Sequence, residues 1–113
     1  PEQIEQVVHN LVRRGTQCIV CMDDNICLNV LNALRKFEVR IPEDILVASF
    51  YNSSVLEEYY PPISCVNLDI QALARTASGV LYDLLQGKEA KKRILQGYEV
   101  LMKDSTNRDK MRK

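Results

Sequence analysis

Apolar residues along the chain occur either at helical spacing or in short continuous runs. This pattern predicts an alternation of helices and strands. Residues 1–14 carry apolar side chains at helical spacing, and Gly15 ends this first helix. Residues 16–22 form a short apolar run that predicts a buried strand. A second helix is expected to run to Phe37, with one of the adjacent acids Asp23 and Asp24 as its N-terminal cap.

The rest of the chain repeats this order. Strands are predicted at 44–50, 64–69 and 97–104, a short helix ends at Tyr60, and a long helix spans 70–86. The apolar residues expected on the inner face of the long helix are Ile70, Leu73, Ala74, Ala77, Leu81, Leu84 and Leu85. Near-continuous apolar strands that alternate with amphipathic helices predict an α/β fold, with a mostly parallel sheet flanked by helices.

Polar side chains follow the first two predicted core strands. Asp23 and Asn25 come after one strand, and Tyr51 and Asn52 come after the next. Ligands of such sheets bind outside the carboxyl ends of the strands. Carboxylates and amides suit the hydroxyl groups of a sugar, and an aromatic ring covers its apolar face. We therefore expect Asp23 to contact a ligand, and Asp24 to act as the structural cap.

Composition narrows the range of functions. Lys plus Arg and Asp plus Glu number 15 each, so the net charge is zero and gives no electrostatic reason for this chain itself to bind nucleic acid. No apolar run approaches the length of a membrane span, and residues 1–10 lack the features of a signal peptide. A cytoplasmic protein is expected, of which this chain, which begins without Met, is a piece.

Other chemistries fit the residues less well. Cys18 and Cys21 have the spacing of a zinc or redox pair, and Cys27 and Cys65 could complete a metal site, but an offset of three in a strand sends side chains to opposite faces. Core thiols and no metal are expected. A phospho-acceptor receiver domain would need an acid after the strand predicted at 44–50, where this chain has Tyr51 and Asn52. Without a glycine-rich phosphate loop or a nucleophile motif, neither a cofactor nor an enzyme is predicted.

Four segments resemble one known family. The stretches "MDDNICLN", "RIPEDILVASFY", "PPISCV" and "VLMKDST" are similar to motifs of the LacI/GalR transcriptional regulators. Those motifs are A-N-D-x-M-A-x-G, R-x-P-E-D-I-x-V-x-G-F-D, P-P-L-T-T-V and L-V-x-R-E-S-T. The resemblance extends over nearly the whole chain, with the motifs in the family's order and spacing.

This resemblance implies a periplasmic-binding-protein-like effector domain of type I, built from two α/β lobes around a cleft. Residues 1–106 would belong to its C-terminal part, mainly one lobe, and 107–113 would be a basic tail. The helix within 69–87 would belong to the other lobe in intact members. Its apolar stripe is therefore expected to pack on a neighbouring copy, or to fold back on the sheet of this chain.

The resemblance also implies a function. The chain would be the effector-binding and dimerisation part of a bacterial repressor, which binds operator DNA through a helix-turn-helix outside it. Asp23 and Leu68 match positions that contact effector, whereas Tyr51 stands where the family usually has an acid. A sugar-like effector is expected, with a nucleobase, another small metabolite or no ligand as open alternatives. A solute-binding protein of a sugar transport system is the alternative function.

The family forms homodimers side by side, partly through the segment that matches 55–60. Leu56, Tyr59 and Tyr60 would form an apolar, aromatic patch of the kind enriched at interfaces. The simpler interpretation is that these side chains cover the edge of the sheet.

Overall fold

The computed structural model describes residues 2–91 and 93–108. Helices and strands alternate along these residues in the predicted order. The helices are α1 (Glu2–Arg13), α2 (Asp24–Lys36), α3 (Ser54–Glu58) and α4 (Ile70–Leu85), and a 3₁₀ turn spans Asp104–Thr106. The strands are β1 (Cys18–Cys21), β2 (Leu46–Ser49), β3 (Ser64–Leu68) and β4 (Tyr98–Leu101). Pro1 and residues 109–113 of the predicted basic tail lie outside the described residues.

The strands form one sheet in the order β1-β2-β3-β4. β1 and β2 are parallel, with Cys18 opposite Leu46 and Cys21 opposite Ser49. β2 and β3 are also parallel, although only two residues of each are paired. The predicted α/β fold with a mainly parallel sheet and flanking helices is confirmed. Each strand is shorter than the apolar run that predicted it.

The chain divides into two compact units. One unit contains Pro1–Asn67 and Val100–Lys113, and the other contains Leu68–Glu99. The first unit holds α1, α2, α3, β1 and β2, together with most of β3. The second unit holds α4 and the segment that follows it.

The hydrophobic core lies in the first unit. Apolar side chains from α2 supply its centre, joined by residues from α1, the strands and α3. The buried residues of this core are Val8, Cys21, Cys27, Val30, Leu31, Ala33, Leu34, Ile45, Val47, Leu56 and Ile63. Because a fully buried Leu or Ile contributes roughly 1.5–3 kcal/mol, these residues supply most of the stability of the unit.

In the first unit, two helix ends use the left-handed backbone region, one with glycine and one without. Gly15 follows α1 with φ +78°, and the amide of Thr16 donates to the carbonyl of Leu11 at 3.1 Å. Glu38 follows α2 with φ +58°, and the amide of Val39 donates to the carbonyl of Leu34 at 2.9 Å. This backbone closure satisfies helix carbonyls that would otherwise lack a partner.

We predict that Glu38→Gly raises the free energy of unfolding by about 0.5–1 kcal/mol, because glycine adopts this conformation without steric cost. The converse change, Gly15→Ala, should lower it by about 1 kcal/mol through backbone strain. A Cβ at Gly15 meets no atom within 4 Å, so packing does not contribute. Urea denaturation measures both changes. The control Glu38→Ala removes the charge but keeps the strain, and equal stabilisation by Ala and Gly would contradict the explanation.

The segment after β4 is held to β2 and β3 by buried hydroxyl groups. Ser105 is fully buried, and its Oγ donates to the carbonyl of Val47 at 2.6 Å and accepts from the amide of Ser64 at 2.8 Å. The hydroxyl of Ser64 in turn accepts from the amide of Lys103 at 2.7 Å and shares a 2.6 Å hydrogen bond with the hydroxyl of Thr106. These bonds satisfy backbone groups that the short β2–β3 ladder leaves free.

Ser105→Ala should destabilise the chain by about 1–3 kcal/mol, because it leaves a buried amide and a buried carbonyl without partners. Thermal or urea unfolding followed by circular dichroism measures the loss. Ser54→Ala is the matched control, since Ser54 is exposed at the start of α3. A loss at Ser105 no greater than at Ser54 would contradict the role given to this hydroxyl.

Helix α4 lies in the second unit and keeps its side chains accessible. None of its residues, all of which the structure describes, is buried. The side-chain Nε2 of Gln96 donates to the hydroxyl of Thr76 at 3.0 Å, and Lys91, Ile94 and Gln96 help line a groove on this helix. Packing of its apolar stripe on a neighbouring copy, or on the sheet of this chain, stays a prediction.

Candidate functional site

The carboxyl ends of β1 and β2 lie side by side. Cys21 is paired with Ser49 at the last position of both strands, and the amide of Phe50 donates to the carbonyl of Cys21 at 2.9 Å. The residues that follow these strands therefore emerge at the same edge of the sheet. This edge is where the sequence places Asp23, Asn25, Tyr51 and Asn52.

Asp23, and not Asp24, caps helix α2. Asp23 has extended backbone angles, and its Oδ1 accepts from the amide of Ile26 at 2.7 Å. Asp24 is already the first helical residue, and its Oδ1 accepts from the adjacent amide of Asn25 at 2.9 Å. The prediction of Asp24 as the structural cap is wrong, because a cap must be the last extended residue to reach an amide three positions on.

We predict that Asp23→Ala lowers the free energy of unfolding by about 1 kcal/mol, the usual contribution of an N-cap side chain. Asp23→Asn should keep most of that stability, since Asn caps helices as well as Asp. Asp24→Ala is the control and should cost less, because it removes only a favourable charge from the first turn. A larger loss at Asp24 than at Asp23, measured by urea unfolding, would contradict the cap assignment.

Tyr51 extends from the end of β2 with 47% of its surface exposed. The Ser49 hydroxyl holds the backbone behind it, donating to the carbonyl of Tyr51 at 2.9 Å and accepting from its amide at 3.3 Å. This clasp fixes the turn from which the ring extends. Ser49 was not among the predicted site residues. It stands where the LacI/GalR motif has glycine, and a serine at the end of an apolar strand is a signal that the sequence itself contains.

Asn52 is held by an acid of helix α3. Its Nδ2 donates to Glu57 Oε1 at 2.7 Å. Among the described residues, no group donates to Asn52 Oδ1, which is buried. Exchanging the two amide atoms would place an oxygen against the Glu57 carboxylate, so the orientation shown is the favourable one.

Leu68, the remaining predicted ligand contact, is the last residue of β3 and is half-buried. It belongs to the second unit, whereas the other four predicted ligand contacts belong to the first. Its role as a ligand contact stays a prediction.

The three side chains predicted to form the dimer patch differ in their burial. Leu56 is fully buried in the core, so its predicted place in an exposed patch is wrong: the five-residue helix α3 turns this side chain inward. Tyr59 packs on the core, and its hydroxyl accepts from Arg35 at 3.0 Å while the guanidinium lies 5.3 Å from the ring centroid. Tyr60 is 87% exposed. No sequence pattern indicated the Arg35 contact, because 24 residues separate the two partners.

The cysteines follow the strand geometry. Cys18 is exposed, whereas Cys21, Cys27 and Cys65 are buried. The core placement predicted for all four is therefore wrong for Cys18, which lies on the open face of β1. Burial raises the pKa of the Cys65 thiol.

The relation between two cysteines was missed by the sequence. Interaction with the Cys27 thiol lowers the pKa of Cys21, and interaction with Cys21 together with burial raises the pKa of Cys27. The signal was a strand-end cysteine followed by another within two turns of the next helix.

Within residues 2–91 and 93–108, no three acidic, histidine or cysteine side chains are grouped as a metal site. No helix of this part of the chain has the length and apolarity to cross a membrane.

Comparison with protein families identifies the domain. The family model described as "Periplasmic binding protein-like domain" matches residues 2–106. The chain therefore belongs to the periplasmic-binding-protein-like domain family.

Individual relatives confirm the resemblance to LacI/GalR regulators. The chain is 26% identical over 88 residues to the "HTH-type transcriptional repressor PurR" of Vibrio atlanticus, covering 78% of this chain and 26% of that protein. It is 31% identical over 58 residues to the "HTH-type transcriptional regulator GalR" of Streptococcus thermophilus, covering 51% of this chain and 18% of that protein. The chain thus spans about a quarter or less of the length of these relatives, which are transcriptional regulators and not enzymes.

A solved structure agrees in fold. The transcription regulator CcpA of Lactococcus lactis superposes with a TM-score of 0.85 at 25% identity, covering 94% of this chain and 40% of that one.

Proposed function

We propose that this chain is the effector-binding part of a cytoplasmic LacI-type transcriptional repressor, and that it has no enzymatic activity of its own. The observation that carries the proposal is the edge formed by the ends of β1 and β2, where Asp23, Asn25, Tyr51 and Asn52 follow two paired strands. Its relatives are regulators, which favours this function over a solute-binding protein of a transport system.

The chemistry of this edge suits a small, uncharged ligand with hydroxyl groups and one flat face. Asp23 uses Oδ1 to cap α2, but a carboxylate has about four acceptor positions, so capping and ligand contact are compatible. Asn25 is exposed and can donate and accept. Tyr51 offers an aromatic surface for a sugar ring. These groups support a sugar-like effector.

The regulatory step follows from differential binding. An effector that binds one conformation of the domain more tightly than another shifts the population towards it, and the shift is limited by that difference in affinity. We infer that this shift alters operator binding by a helix-turn-helix outside this chain, through a homodimer. The 87% exposure of Tyr60, beside Tyr59 and its Arg35 contact, supports a place for these two tyrosines at the dimer interface.

The ligand proposal is tested by titrating the chain with a panel of monosaccharides, disaccharides and purine nucleobases. Amide NMR detects binding even at millimolar affinity. A sugar should shift amide signals of residues 22–26 and 50–53. Tyr51→Ala should weaken its binding at least about tenfold, or about 1.4 kcal/mol, by removing the covering ring.

The controls separate ligand contact from folding. Tyr82→Ala removes an exposed tyrosine of the second unit and should leave the affinity unchanged. Asp23→Asn keeps a capping side chain while removing the charge, and should weaken sugar binding. If a nucleobase but no sugar binds at this edge, the ligand class proposed here is wrong. If neither binds, or if Tyr51→Ala has no effect, the site itself is wrong.

A further inference from the structure

Helix α3 carries an acid that reaches back to the end of β2. Glu57 is the fourth residue of this five-residue helix, and its Oε1 accepts a hydrogen bond from Asn52 Nδ2 at 2.7 Å. The Ser53 side chain caps the start of the helix, and Leu56 anchors the helix in the core, where its side chain is fully buried. The carboxylate that holds Asn52 is therefore attached to a fixed part of the first unit.

The hydrogen bond to Glu57 fixes the orientation of the Asn52 amide. It is the one side-chain hydrogen bond of Asn52 within residues 2–91 and 93–108, where no group donates to the buried Oδ1. A bond from an amide to a carboxylate is charge-assisted, so it is stronger than a bond between neutral groups. The last side-chain torsion of Asn is broad and roughly two-fold, so an unrestrained amide readily exchanges the places of its oxygen and nitrogen. Glu57 therefore determines where each of these two atoms lies.

We propose that Glu57 is a positioning residue of the effector site, which acts through Asn52. The inference rests on the proposed function, because Asn52 contributes to binding only if the edge formed by β1 and β2 takes a ligand. An amide held in one arrangement loses little further freedom when it bonds to a sugar hydroxyl. Without Glu57, Asn52 is in the binding arrangement for only a fraction of the time.

The size of the effect follows from the number of arrangements open to an unrestrained Asn. Three χ1 rotamers combined with two amide orientations give about six arrangements. The apparent dissociation constant rises as the fraction of molecules in the binding-competent arrangement falls. Loss of Glu57 should therefore weaken sugar binding by about two- to sixfold. Removal of the Asn52 amide should weaken it by about tenfold, because the hydrogen bond to the ligand is then lost in every molecule.

The first measurement needs no ligand and follows the side-chain amide signals of Asn52 by ¹H–¹⁵N NMR in the 113-residue chain. Glu57→Ala should move one Nδ2 proton upfield, because it removes the hydrogen bond to the carboxylate. Glu57→Gln should retain most of the downfield shift, since its amide oxygen also accepts. Glu58→Ala is the matched control, as Glu58 is the next residue of the same helix and is also exposed. Unchanged Asn52 signals in Glu57→Ala would overturn the proposal.

The second measurement determines whether Glu57 acts through Asn52. Titration with D-glucose, D-galactose and D-ribose, followed by the backbone amide signals of residues 22–26 and 50–53, compares the unmodified chain with Glu57→Ala, Asn52→Ala and the double variant. Glu57→Ala should weaken binding in the unmodified background and have no further effect once residue 52 is Ala. Glu57→Gln should restore the affinity, and Glu58→Ala should leave it unchanged. Circular dichroism checks that each variant is folded.

The outcomes separate this inference from the proposed function. If a sugar binds and Tyr51→Ala weakens its binding while Glu57→Ala does not, the site stands and the role of Glu57 is overturned. If Glu57→Ala weakens binding equally with and without the Asn52 amide, its effect does not pass through Asn52, which also overturns the proposal. If no monosaccharide binds, the proposed function is wrong and the positioning role is wrong with it, while the Asn52 signals still show whether Glu57 holds the amide.

Discussion

The buried hydroxyl of Ser105 is the interaction on which the middle of the sheet depends. It joins the carbonyl of Val47 in β2 to the amide of Ser64 in β3, where only two residue pairs hold these strands together. A buried amide or carbonyl without a partner costs about 1–3 kcal/mol, so one side chain offsets two such losses. The serine of the "DST" segment thus links strands β2 and β3, which are distant from it in the sequence.

The position of the candidate site follows from this arrangement. With β2 held to β3 on one side and to β1 on the other, the ends of β1 and β2 occupy fixed neighbouring positions. The Ser49 hydroxyl then fixes the turn before Tyr51, and the Asp23 carboxylate fixes the start of α2. Polar groups used in this way lose little further freedom on ligand binding, which is an advantage of a preformed site.

Within residues 2–91 and 93–108, periodicity predicted the order of all eight helices and strands. The apolar positions reflect burial in the first unit and amphipathic spacing in α4. Periodicity left both Asp23 and Asp24 as possible caps, and the choice of Asp24 was wrong, since the cap is the residue that ends the extended backbone. It misplaced Leu56, because a helix of five residues is too short for spacing to define an inner face. Tertiary contacts such as that between Arg35 and Tyr59 leave no mark on a local pattern.

The turn Met22–Ile26 combines requirements that usually occur in separate places. It must end a strand, start a helix and present polar groups at the edge of the sheet, while the cysteines on either side are buried in the core. A shift of α2 along β1 would change the capping bond, the position of Asn25 and the packing of Cys27 together. The core beneath is closely packed, and such cores move between discrete arrangements instead of deforming continuously. A change in the packing of α2 would therefore alter the polar groups at the edge of the sheet through this turn.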